Sequence, residues 1–102
     1  MEPRQTEWLE RQIDTLSARL PALQNFILPG GTPAGAHLHL ARAVCRRAER
    51  DALRLAASEP VRREVLIYLN RLSDFFFVLA RFENFQAGTP EKIWRPEPGN
   101  PS

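Results

Sequence analysis

Arg42, Arg46 and Arg50 stand four residues apart with Arg47 beside them, and a helix would project the first three from one face. Glu49, three positions after Arg46, falls on the same side. From Arg42 to Arg63 there are seven Arg against three acids, Glu49, Asp51 and Glu59, so the local balance of +4 exceeds the +2 of the whole chain. Two readings are open for this concentration of charge. One is a solvated helix face laced with weak intrahelical ion pairs. The other is a clamp for a polyphosphate, because fixed guanidinium forks match phosphate oxygens. A second polar set, Asn70, Arg71, Asp74 and Arg81, interrupts an otherwise apolar stretch. Asn70 and Asp74 share a helical face, and polar groups buried there need partners, so they are expected to bond either an Arg of the preceding helix or a ligand.

Other chemistry-bearing residues point to less. His37 and His39 are two positions apart, which on a helix sends them to different faces and argues against a shared metal. Cys45 falls on an apolar stripe without a catalytic neighbourhood and reads as a small core residue. Gly30-Gly31 lacks the Lys-Ser/Thr ending of a phosphate loop.

Three helices are predicted to position these groups. The first runs from Thr6, as N-cap, to about Leu20, its stripe made of Leu9, Ile13, Leu16, Leu20 and Leu23 and its end set by Pro21. An unusually apolar loop follows, Asn25 to Pro33, closing on the breaker cluster Pro29-Gly30-Gly31. The second helix starts with Thr32 as N-cap and Pro33 at the first helical position and continues to about Ser58, with a narrow seam of Leu38, Ala41, Cys45, Ala48, Ala52 and Leu55. The third runs from about Pro60 to about Gln86 on a seam of Val65, Leu69, Leu72, Phe76 and Leu79. Leu66, Ile67, Phe75, Phe77, Val78 and Phe82 lie off that seam, so this helix must be covered on several sides, by helices or subunits beyond the other two. Residues 91–102 read as an extended tail anchored by Ile93 and Trp94. The expectation is therefore an all-α, antiparallel helical bundle in a single domain, 1–102.

Composition bounds the partners. The chain has 102 residues, 43% hydrophobic and 25% charged, which is ordinary for a globular chain. At this length it hides only somewhat more than ~60% of its unfolded surface, so oligomerisation is expected to help. A net charge of +2 is too small for a polycation on nucleic acid or on an anionic membrane, and neither is expected as a partner. Thirteen of the fourteen basic residues are Arg, Lys92 being the exception, which suits bidentate recognition of phosphate or carboxylate. The longest apolar run, Phe75 to Ala80, is six residues, and Met1-Glu2-Pro3-Arg4 does not open like a signal peptide. With Cys45 as the lone cysteine, a soluble, cytoplasmic protein is expected.

Three strings in order carry a resemblance: Phe26-Ile27-Leu28-Pro29-Gly30-Gly31, Ala41 through Arg50 (Ala-Arg-Ala-Val-Cys-Arg-Arg-Ala-Glu-Arg), and Tyr68-Leu69-Asn70-Arg71-Leu72-Ser73-Asp74, followed by Leu79-Ala80-Arg81 and Glu91-Lys92-Ile93. From about Glu7 to Trp94 the chain resembles the C-terminal half of an ATP:cob(I)alamin adenosyltransferase of the trimeric helical-bundle type. The resemblance implies a homotrimer of five-helix bundles with ATP, carried with Mg2+, and the corrinoid cobalamin bound as substrates between subunits. Reduced cobalt would attack the 5′ carbon of ATP, expel triphosphate and yield adenosylcobalamin. It further implies that Arg46, Arg47, Glu49, Arg50 and Asn70 contact ATP, that Arg42 pairs with an acid across the subunit interface, with Asp74 in a structural role beside it, and that Phe26 faces the corrin. Phe26 and Arg46 would carry the catalysis. The family's N-terminal half, with a Thr-Lys-Thr-Gly-Asp type ATP loop, does not occur between Met1 and Ser102, so a separate N-terminal segment is an expected partner. A truncated product, a split subunit and a fragment of a longer reading frame all stay open. The alternative is a non-catalytic helical module for oligomerisation or interaction, with the arginine ladder as its solvated or partner-binding face.

Overall fold

The computed structural model describes residues 3–21 and 31–89, and these form three α-helices: α1 (Pro3–Ser17), α2 (Pro33–Ala56) and α3 (Arg63–Gln86). The tail expected at 91–102 and the segment 22–30, which includes Phe26 and Leu23, lie outside the described residues.

The α-helical class follows the sequence, but two starts differ. α1 begins at Pro3, not after a Thr6 cap, because a proline ring pre-sets the helical φ at a first turn whose amides need no partner anyway. It also ends earlier, at Ser17. The Arg19 and Leu20 amides bond the Leu16 and Ser17 carbonyls at 3.0 and 3.1 Å, a tightened i to i−3 turn leading into Pro21. α2 starts as the sequence predicts: Thr32 is extended, φ −65° and ψ 158°, its hydroxyl accepts from the Gly35 amide at 3.0 Å, and Pro33 opens the helix. α3 begins at Arg63 and not at Pro60. Arg62 is extended at φ −66° and ψ 132° and caps the helix without a side-chain hydrogen bond. Gly88, at φ +71°, ends α3 in the left-handed conformation, and the Thr89 amide returns to the Asn84 carbonyl at 2.9 Å.

α3 is the centre of the arrangement. Both α1 and α2 pack on it, and they do not touch each other. The cross-helix pairs fix the directions. Thr32 meets Asn84 while Cys45 meets Leu69, so α2 runs antiparallel to α3. Glu10 meets Arg71 while Pro21 meets Arg81, so α1 runs parallel to α3 and the path is up, down, up. Val78 and Ala80 are buried in α3, Leu9 in α1 and Cys45 in α2.

Two helices do not enclose the third. Leu69, Leu72 and Phe76 of α3 form an open apolar groove with Leu40, Ala41, Val44, Cys45 and Ala48 of α2. Leu72 also lines a second groove, where Trp8 and Leu9 of α1 face Tyr68 and Phe75. The sector of α3 between its two neighbours is thus an uncovered apolar strip, flanked by Leu40 and Val44 at 62% and 61% exposure. The α2 seam is correspondingly incomplete. Cys45 is buried, but Leu55 is 51% exposed because no described helix reaches it.

Leu9 is the most buried apolar side chain of α1, 3% exposed against α3. Leu9→Ala is expected to cost about 2–5 kcal/mol, toward the low end because the open flank lets the site collapse. A fall in the urea unfolding midpoint checks it.

Candidate functional site

α2 presents the arginine face. Arg46, Arg47 and Arg50 are exposed and Arg42 is half-buried. Among the described residues, the side chains of Arg46, Arg47 and Arg50 form no ion pair or hydrogen bond. The intrahelical pairing that a solvated face would show occurs one turn further on, at Arg54 and Asp51, 3.2 Å apart and exposed. Glu49 does not serve the ladder, because Nδ2 of Asn70 on α3 donates to its Oε2 at 3.1 Å. The guanidinium donors of the ladder stay open as a result. Arg42 registers this: burial and then the neighbouring Arg46 lower its pKa, with Asp74 acting in the opposite sense.

Asn70 has the partner the sequence required, but of a different kind. The sequence reading expected an Arg of the second helix or a ligand, whereas Asn70 donates to an acid of that helix and accepts from Nη1 of Arg71 on its own helix at 2.9 Å. Arg71 extends the network, its Nε donating to Oε1 of Glu10 on α1 at 3.0 Å, so one guanidinium ties α1 to the α2–α3 contact. Asp74 is not buried. Its side chain is 53% exposed and lies 3.9 Å from Arg71, on the rim of α3.

The Arg42 guanidinium stacks over the Phe77 ring, 4.7 Å from its centroid, and His39 meets the same ring edge-on at 6.2 Å. Such a stack is worth about 0.5–2 kcal/mol, depending on desolvation. The Cys45 thiol, buried, donates to the Leu69 carbonyl at 3.3 Å, and burial followed by Glu49 raises its pKa, which keeps it an inert packing group. Two residues near the end of α3 escaped the site reading: Asn84, and Arg81 in the role it plays. Both are 6% exposed. A polar pair one turn apart in a greasy helix was the available signal. No group of three or more His, Cys, Asp or Glu among the described residues could hold a metal.

The arrangement is an arginine face with open donors, braced from behind by a hydrogen bond to α3 and suited to a polyanion. The family model for cobalamin adenosyltransferase matches residues 1–83. The chain belongs to the cobalamin adenosyltransferase family. It is 49% identical over 81 residues to the corrinoid adenosyltransferase of Bacillus subtilis, covering 79% of this chain and 42% of that protein. Against the Bos taurus corrinoid adenosyltransferase the identity is 47% over 87 residues, 85% of this chain and 36% of that one. A solved variant of the PduO-type ATP:corrinoid adenosyltransferase from Lactobacillus reuteri, complexed with cobalamin and ATP, superposes with a TM-score of 0.89 at 42% identity, covering 93% of this chain and 51% of that one. The chain thus spans about half the length of the family members it matches, or less. No helix among the described residues is long and apolar enough to cross a membrane.

One pH effect follows from the stack. Burial, then the charge of Arg42, hold the His39 imidazole below its ordinary value of 6.5. The unfolded chain protonates this group first as pH falls, so the stability it contributes is full above the ordinary value and is lost as pH drops through the lower folded one. His39→Gln is expected to flatten that decline, as read by urea unfolding between about pH 8 and about pH 5.

Proposed function

We infer that the chain supplies the triphosphate-binding and corrinoid-facing half of an ATP:cob(I)alamin adenosyltransferase. The observation that carries this is the arginine face: Glu49 is taken by Asn70, so Arg46, Arg47 and Arg50 keep their donors for a ligand. A Lactobacillus reuteri structural neighbour complexed with both ATP and cobalamin supports the choice of substrates.

In this reaction the cobalt electron pair of cob(I)alamin forms a bond to C5′ of ATP. The C5′–O bond breaks and its electrons leave on triphosphate. No proton has to move, so the work of the chain is orientation and charge stabilisation. Arg46 would stabilise the leaving triphosphate, with Arg47 and Arg50 beside it. Asn70, turned toward α2 by Glu49, contacts the nucleotide, and Glu49 itself lies at the edge of the same face. Mg2+ arrives bound to ATP, held through phosphate oxygens and water. Phe26 would face the corrin. Arg42, with Asp74 near it, pairs with an acid across a subunit interface of a homotrimer.

The open apolar strip of α3 supports the remaining parts of the reading, a homotrimer and a further N-terminal segment that together cover it. The lone cysteine and modest charge fit a cytoplasmic setting. The same strip also favours a non-catalytic interaction module, in which the arginine ladder would be a partner-binding face.

Arg46→Ala is expected to weaken ATP or triphosphate binding by about 1.5–3 kcal/mol, the scale of a charge-assisted hydrogen bond. Calorimetry at a salt level where the parent binds measures it, and equal affinities would return the ladder to a solvated face. Sedimentation of the chain is expected to show a trimer or a less regular oligomer. A compact monomer at micromolar concentration would count against the assembly.

A further inference from the structure

The Asn70 side chain is set between two opposite charges. Its Oδ1 accepts from Nη1 of Arg71 at 2.9 Å, and its Nδ2 donates to Oε2 of Glu49 at 3.1 Å. These contacts lock the amide against flipping, because the flipped group would turn its oxygen toward the carboxylate and its N–H donors toward the guanidinium. Nδ2 carries two protons, and Glu49 needs only one of them. The backbone beneath is pinned as well. The Cys45 thiol donates to the Leu69 carbonyl at 3.3 Å and the Ser73 hydroxyl to the Asn70 carbonyl at 3.1 Å. Packing of α2 on α3 thus fixes where Asn70 starts, and the rotation of its amide is what Arg71 decides.

Arg71 is itself held from α1. Its Nε donates to Oε1 of Glu10 at 3.0 Å while Nη1 serves Asn70, so one planar guanidinium is tied at two points and its plane is set. Asp74 offers an alternative. Its Oδ2 lies 3.9 Å from the same Nη1, too far for a hydrogen bond, yet it is the acid to which the guanidinium can swing once Glu10 releases Nε. Side chains 39% and 47% exposed gain little stability from an ion pair, so the Arg71–Glu10 contact matters for orientation more than for folding.

We propose that Arg71, aimed by Glu10, is a positioning residue that fixes the Asn70 amide for nucleotide binding. Both residues act through Asn70 and not on the substrate. The nucleotide half of this proposal rests on the function inferred above; the locking of the amide does not.

The test is a double-mutant cycle on the full chain, with ATP affinity read by calorimetry. Arg71→Met should weaken ATP binding by about three- to tenfold, the scale of one lost hydrogen bond, and should have no further effect in an Asn70→Ala background. Arg71→Lys keeps the charge but not the fork, so it should bind as weakly as Arg71→Met. Glu10→Ala should weaken binding by about threefold, although removing an acid would by charge alone strengthen it, and Glu10→Gln, which keeps an acceptor for Nε, should recover most of the loss. The Glu10 variants alter an exposed position and still decide the matter if Arg71→Met folds poorly. In parallel, the Asn70 side-chain amide pair is followed in 1H–15N spectra, assigned by its disappearance in Asn70→Ala. Arg71→Met and Arg71→Lys should move it toward the position of a free Asn. Full affinity in Arg71→Lys, an undiminished Arg71→Met effect without Asn70, or stronger binding by Glu10→Ala would overturn the positioning role. An unmoved amide pair would overturn the lock. If the parent chain binds no ATP, the inferred function fails and the nucleotide half with it, while the amide spectra still decide the lock.

Discussion

The carboxylate of Glu49 can satisfy only a limited set of donors, and in this protein it satisfies Asn70. That hydrogen bond to a charged acceptor is worth about 1.5–3 kcal/mol and joins α2 to α3 at mid-height. Its larger consequence is electrostatic. Had Glu49 folded back on Arg46, the ladder would have been half neutralised and indistinguishable from a solvated helix surface. With the acid bonded to Asn70, Arg46, Arg47 and Arg50 keep their donors open, and the charge of Arg46 adds to burial in lowering the pKa of Arg42.

Placing α3 at the centre follows from the same geometry. Asn70 must reach α2 while Arg71, the next residue, reaches Glu10 of α1. Adjacent helical positions point about 100° apart, so one helix can brace two neighbours only from between them. Arg71 also bonds Asn70, so the registers of both contacts are coupled through one guanidinium. A change at Glu10, on the far side of the molecule, is thereby connected to the back of the arginine face. The arrangement leaves a third sector of α3 bare, where Leu69, Leu72 and Phe76 line the groove.

The ends of the helices divide the labour differently from their middles. At mid-height polar groups brace a charged surface, whereas toward the end of α3 the polar residues Arg81 and Asn84 hold backbone. Burial of a guanidinium and an amide would be unfavourable were they not hydrogen-bonded, and the bonds made to Pro21 and Thr32 contribute to making that burial tolerable.

Much of this was legible in the residues. The four-residue spacing of Arg42, Arg46 and Arg50 places them on one face of any helix, because 3.6 residues per turn allows nothing else. Thr32-Pro33 marks the start of α2 by local chemistry alone, and the excess apolar residues of α3 require neighbours on more than one side. The motif strings sufficed for the family. Other features were beyond local reasoning. Thr6 is a good cap residue, yet Pro3 nucleates the helix earlier, and Pro60 could open a helix but is followed by an extended Arg62. Which donor takes Glu49, whether Asp74 faces protein or water, and why Gly31 and Gly35 must lack side chains all depend on residues 20 or more positions away in sequence. Only packing α2 against α3 brings those atoms within hydrogen-bonding range, so the bracing behind the arginine face is a property of the tertiary structure and not of any local stretch of sequence.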